Sequence, residues 1–191
     1  MWNSLEVVKL IVAFVGPLTI AATAAITAII VNRRLKRIEE AQWRNRRVID
    51  KRIEIYDAVA PPLNDLYCYL LWVGNWQEKT PPEIVAIKRD ADRRIFIGQY
   101  ILDDETFRAY QALMALAFRT FNDPGTDARI RSTLSSPLGD RRASRFFAWN
   151  EAWTAMFDTA PPPSREEVQA AYLALLAAFK RSIGLQDHSK A

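Results

Sequence analysis

From Leu10 to Val31 the chain runs for 22 residues, LIVAFVGPLTIAATAAITAIIV, without one charged side chain. A helix rising about 1.5 Å per residue makes that stretch roughly 33 Å long, enough to cross the hydrocarbon core of a bilayer. Gly16 and Pro17 are costly inside a soluble helix but tolerated in membrane helices, where Pro17 introduces a modest kink. A cleavable signal peptide has a shorter apolar core and a small-residue cleavage site. Ala22-Thr23-Ala24 imitates such a site, yet the run continues for seven more residues and ends against Arg33, Arg34, Lys36 and Arg37. That basic cluster opposes export of the segment behind it. The expectation is a transmembrane helix over residues 10–31.

The flanks set its orientation. Residues 1–9 carry only Glu6 and Lys9 besides the terminal amine, with Trp2 suited to the outer interface. Residues 32–54 hold nine Lys or Arg against four acids, a local charge of +5. The whole chain is +4, so everything else sums to −1 and the basic character is confined to this segment. The positive-inside rule puts that side in the cytoplasm, with a short N-terminus outside. Anionic headgroups attract such residues, at about 1 kcal/mol each near the surface. Arg33, Arg34, Lys36 and Arg37 are therefore expected to bind the membrane surface, and the segment's place beside the membrane accounts for its charge without nucleic acid. The localisation implied is the cytoplasmic (inner) membrane.

Within the apolar run Thr19, Thr23 and Thr27 recur every four residues, with Gly16 beside them. They share one helix face. Small and hydroxylated faces let membrane helices approach closely, so this stripe is a candidate self-association surface; threonines also bond back to their own helix carbonyls.

Beyond the anchor the pattern is helical. Residues 32–60 contain no Gly or Pro and read as a basic stalk. Leu35, Ile38, Ile49, Ile53 and Tyr56 fall close to a 3-4 spacing, with Gln42 and Asn45 in the middle of the seam, where polar residues weaken a coiled coil. Pro61-Pro62 is expected to break this helix. Residues 61–184 then read as a cytosolic domain. A stripe of Leu63, Leu66, Leu70 and Val73 ends at Gly74-Asn75. Thr80-Pro-Pro-Glu83 and Ser164-Arg-Glu-Glu167 are capping boxes that open helices, the first running to about Gln99. Asp103 or Asp104 caps another, with Phe107, Tyr110, Met114, Ala117, Phe118 and Phe121 on its inner face. Residues 123–139 read as mostly loop with one short helical turn near Ala128, followed by a helix from Asp140 lined by Phe146, Trp149, Trp153 and Met156. The last helix turns Val168, Tyr172, Leu175 and Phe179 inward and stops at Gly184. Residues 185–191 read as a disordered tail. The fold class expected is all-α: a transmembrane helix, a helical stalk, and a bundle of four or five helices.

Catalytic signatures are missing from the sequence. The one His, His188, sits three residues from the end, and the one Cys, Cys68, lies between two tyrosines. No triad, histidine metal site or disulfide framework can be built from these. No phosphate-binding glycine loop or zinc motif occurs, and Asp103-Asp104-Glu105 suits a helix N-terminus. A candidate anion-binding patch remains in Arg129, Arg131, Arg141, Arg142 and Arg145, with aromatic residues nearby to stack on a base.

These readings imply a single-pass, membrane-anchored, non-enzymatic interaction module needing no cofactor, with an unidentified protein or a second copy as partner. One alternative is a small oligomerising effector or toxin that permeabilises the membrane. It resembles in general layout the single-pass effectors of bacterial defence systems. Another is a ligand or nucleotide sensor using the arginine-rich region.

Overall fold

The computed structural model describes residues 4–120 and 125–185, and their side chains except those of residues 4–22 and 25. The architecture is mostly helical. Four α-helices are described: α1 (Ser4–Leu71), α2 (Pro81–Gly98), α3 (Asp104–Ala117) and α4 (Arg165–Ser182). Two minimal antiparallel ribbons, β1 (Phe118–Arg119) with β2 (Arg129–Ile130) and β3 (Ser135–Ser136) with β4 (Gly139–Asp140), join α3 to an irregular segment. The chain divides into two compact units, residues up to Arg47 and residues from Val48.

In the first unit, every residue from Ile26 to Arg47 is helical and exposed. The expected transmembrane segment lies largely on residues whose side chains are outside the described set, Gly16 and Thr19 among them. Among the described residues no helix is long and apolar enough to cross a membrane, so the fold lends that expectation no support. Trp2 and the tail from Gln186 also lie outside the described residues.

The second unit holds the core. Val59, Leu63 and Leu66 of α1, Ile84 and Ile95 of α2, Tyr110 and Leu113 of α3, and Leu175 and Phe179 of α4 are all buried. α3 packs along α4, and Arg181 grips Glu105 with two hydrogen bonds of 3.1 and 2.6 Å. Rings stitch α1 to α4: Tyr67 stacks on Tyr172 at 4.3 Å, and Tyr56 meets Phe179 edge-on at 5.4 Å. Phe96 and Phe107 join α2 to α3 in the same edge-on way. Both capping boxes form as expected, at Thr80 and Ser164, and Asp103 caps α3 by accepting from the Thr106 amide. The four residues assigned to the inner face of α4 are all buried. At the end of α4, Gly184 adopts φ +82°, the left-handed turn that glycine closes without steric cost.

Several expectations fail. α3 stops at Ala117, so Phe118 opens β1 instead of extending the helix face, and Phe121 lies outside the described residues; no helical turn forms at Ala128, which precedes β2. The helix does not break at Pro61-Pro62 but continues to Leu71. Each proline removes one backbone donor, at a cost of about 3 kcal/mol in a helix interior. Burial of Val59 and Leu63 on either side offsets that cost, while Asp57, whose carbonyl loses its partner at Pro61, is exposed. Asp140 opens only a single 3-10 turn, Arg141–Ala143, and Trp149 to Met156 belong to loop and a second 3-10 turn, Glu151–Met156. There the rings gather on each other, Trp153 against both Phe147 and Trp149, and an aromatic knot replaces the helical stripe.

Thr80→Ala removes the side-chain acceptor that opens α2. It is expected to lower unfolding free energy by about 1 kcal/mol, read as a lower midpoint in a urea titration of the full chain.

Candidate functional site

α1 ends among aromatic residues, and its last turn holds no basic side chain. Carbonyls at a helix C-terminus lack intrahelical donors and carry the negative end of the helix dipole. Arg141, 72 positions beyond Tyr69, fills that need: its Nη2 donates to the Tyr69 carbonyl at 2.8 Å and to Ser132 Oγ at 3.0 Å, and its Nε donates to the Thr133 carbonyl at 2.9 Å. The guanidinium lies 3.6 Å from the Tyr69 ring centre and 3.8 Å from that of Trp72, with Trp76 and Phe157 at 5.7 and 6.0 Å. Only 2% of Arg141 is exposed. Burial pushes its pKa down to about 10, which leaves it a cation at neutral pH. Cation–π stacking and three hydrogen bonds stand in for the water it has lost.

The cage dictates backbone geometry around it. Trp72 takes φ +59°, a conformation rare for a bulky residue. Gly139, at φ +154°, lies under Trp76, where a Cβ would come within 3.0 Å of the indole. Arg165 adds a second cation at the same helix end, donating from Nη1 to the Leu71 carbonyl at 3.0 Å.

The expected anion-binding patch does not assemble around a shared centre. Arg141 is buried in its cage. Arg142 pairs with Asp140 through both carboxylate oxygens, Arg131 donates to the Ala115 carbonyl of α3 at 3.1 Å, Arg145 stacks on Phe146 at 4.9 Å, and Arg129 is half-buried in β2. Arg33, Arg34, Lys36 and Arg37 are exposed along the first unit. Of the threonine stripe, Thr23 and Thr27 are exposed. Among the described residues no group of His, Cys, Asp or Glu is placed to hold a metal ion.

Two features escaped the sequence reading. Lys88, buried in α2, donates to Asp92 one turn on at 2.5 Å, and the other oxygen of Asp92 accepts from the Tyr110 hydroxyl at 2.6 Å. The four-residue spacing of Lys88 and Asp92 was legible; their link to α3 was not. The second feature is an open groove of about 410 Å³ between α1 and α2, walled by Ile55, Ala58, Ile97 and Ile101 and rimmed by Lys51, Glu54, Asp90, Arg93 and Arg94. Ile97 is 71% and nearby Tyr100 91% exposed. The groove has apolar walls and charges of both signs, but no nucleophile paired with a base.

No family model matches the chain, and neither a curated protein nor a solved structure does so.

Arg141→Ala empties the cage and strands the Tyr69 and Thr133 carbonyls. It is expected to cost about 3 kcal/mol or more of stability in urea denaturation, whereas a surface anion-binding arginine would leave stability unchanged within about 0.5 kcal/mol.

Burial raises the phenol of Tyr69 to about 12, and burial together with the Asp92 hydrogen bond raises that of Tyr110. A phenol whose pKa is higher in the folded than in the unfolded chain stabilises the fold fully below its ordinary value of 10. That contribution is lost as pH rises through the folded value. Arg141 acts in the opposite sense between about 10 and 12.5, because burial disfavours its charge. Phenolate absorbance of the native chain is expected to reach completion at higher pH than in denaturant, because the buried phenols of Tyr69 and Tyr110 hold their protons longer.

Proposed function

We propose that the chain is a single-pass membrane protein whose helical unit from Val48 onward is a non-enzymatic interaction module in the cytosol. The observation that carries this reading is the charge step at Val31. Twenty-two residues without a charge precede it, and seven Lys or Arg follow between Arg33 and Arg47, all of them exposed on one helix. Exposed cations on a bare helix have no partner in a domain core. Anionic headgroups supply one, and the same residues hold this end on the cytoplasmic side. The two later basic residues, Lys51 and Arg52, behave differently: Lys51 pairs with Glu54, and Arg52 donates to the carbonyls of Ile101 and Ser182 at 2.7 Å each. The basic strip therefore ends where the folded unit begins.

The interaction role rests on the groove between α1 and α2, whose apolar walls and mixed-charge rim resemble the composition of protein interfaces with a polar border. The only His lies near the C-terminus and the only Cys has its pKa raised by burial, so neither side chain offers an activated nucleophile or base.

Topology is the test. In a Cys68→Ser background, Asn3→Cys is expected to react with a membrane-impermeant maleimide in intact cells, and Asp187→Cys only after lysis. The full chain is expected to stay in the pellet after alkaline carbonate extraction. Its release to the supernatant, or reversed labelling, would overturn the anchor and its orientation.

A further inference from the structure

We infer that the segment from Val31 to Asn45 pairs with the same segment of a second copy, as a parallel two-stranded coiled coil. Alternate steps of four and three residues from Val31 select Val31, Leu35, Ile38, Gln42 and Asn45, the a and d positions of a heptad repeat with Leu35 and Gln42 at a and the others at d. Nine charged residues lie between Arg33 and Arg47, and none falls on these positions. The sorting leaves three aliphatic side chains and two amides on one seam. All five are exposed; Val31, Leu35 and Ile38 are each about half exposed, at 49%, 51% and 53%. Most helical stability in proteins comes from packing an apolar face.

Two observations select a copy of this chain, in parallel and in register, as the occupant. First, Arg34 is a g position and Glu39 the following e position, the spacing at which residues of opposite strands face each other in a parallel pair. Two-fold symmetry then makes the Arg34–Glu39 ion pair twice, once on each side of the seam. Second, Gln42 and Asn45 meet their own copies only when the strands are in register. A side-chain amide both donates and accepts, so each like pair is self-complementary, whereas an apolar partner helix would strand both amides. Such polar residues within a seam lower its stability but set its register and strand number. The remaining cations lie outside the seam, Arg33 and Arg47 at f, Lys36 at b, Arg37 and Arg44 at c and Arg46 at e, where pairing leaves them open to solvent or headgroups. The assignment uses residues 31–45 alone and does not depend on the membrane anchor.

Full-length chain with Cys68→Ser, carrying one cysteine at a time, is oxidised in native membranes or in detergent. Val31→Cys, Ile38→Cys and Asn45→Cys are expected to give disulfide-linked dimers in high yield, and Arg33→Cys and Glu40→Cys on the outer face little. Equal yields on both faces, or none at the d positions, would overturn the pairing. The charge contact is read separately, from the dimer dissociation constant of the full chain in detergent. Arg34→Glu and Glu39→Arg are each expected to weaken the dimer several-fold, and the double exchange to restore it. A dissociation constant blind to all three variants would overturn the parallel register, since association through a membrane-embedded helix does not sense these charges.

Discussion

Arginine side chains closing the carbonyl ends of helices hold the folded unit together. Arg141 and Arg165 cap α1 at Tyr69 and Leu71, Arg131 caps α3 at Ala115, and Arg52 caps α4 at Ser182 while reaching Ile101 in the turn after α2. Neither α1 nor α3 has a basic residue in its own last turn, so the cation must come from elsewhere in the chain. Each such bond joins residues at least 16 positions apart, and most join residues far more distant. A guanidinium can do this because its several donors lie in one plane, and because it sheds water at a lower cost than an ammonium.

Arg141 shows how far that arrangement goes. A buried cation costs several kcal/mol unless its donors and its charge are both accommodated. Here the carbonyls of Tyr69 and Thr133, the Ser132 hydroxyl and four aromatic rings take most of that role, with Nη1 left without a hydrogen-bond partner. The consequences spread outward: Trp72 turns into the left-handed region to lay its ring on the guanidinium, Trp76 closes the other side, and Gly139 is needed under Trp76. The short ribbons between α3 and α4 bring Ser132, Thr133 and Arg141 to the end of α1. A run that sequence patterning reads as loop is the clasp that locates the longest helix of the unit.

The same residue type has the opposite fate between Ile26 and Arg47, where the helix is exposed throughout and Trp43, on which Arg47 stacks at 4.7 Å, is the one aromatic ring. Cations there are exposed, as are the apolar residues Val31, Leu35 and Ile38 between them. Whether an arginine serves as cap, clasp or surface charge is thus settled by the groups within hydrogen-bonding reach of it, not by its neighbours in sequence.

Much of the fold was legible because its signals are local. Capping boxes at Thr80 and Ser164, the cap at Asp103, the stop at Gly184 and the apolar face of α4 each involve residues within a turn or two of one another. The misreadings were of segments where distant packing outweighs local preference. Pro61-Pro62 reads as a break, but the burial of Val59, Leu63 and Leu66 carries the helix through; Phe146 to Met156 has helical spacing, but its rings find one another first. The arginines from Arg129 to Arg145 look like one patch in sequence because they are close along the chain, and the fold distributes them among separate partners. By itself, then, the sequence determined where α2, α3 and α4 start, which face α4 buries and where the charge lies along the chain, since those depend on interactions between near neighbours. Only the tertiary structure decided which arginines became internal caps, because a guanidinium's value there depends on carbonyls and rings brought to it from dozens of residues away.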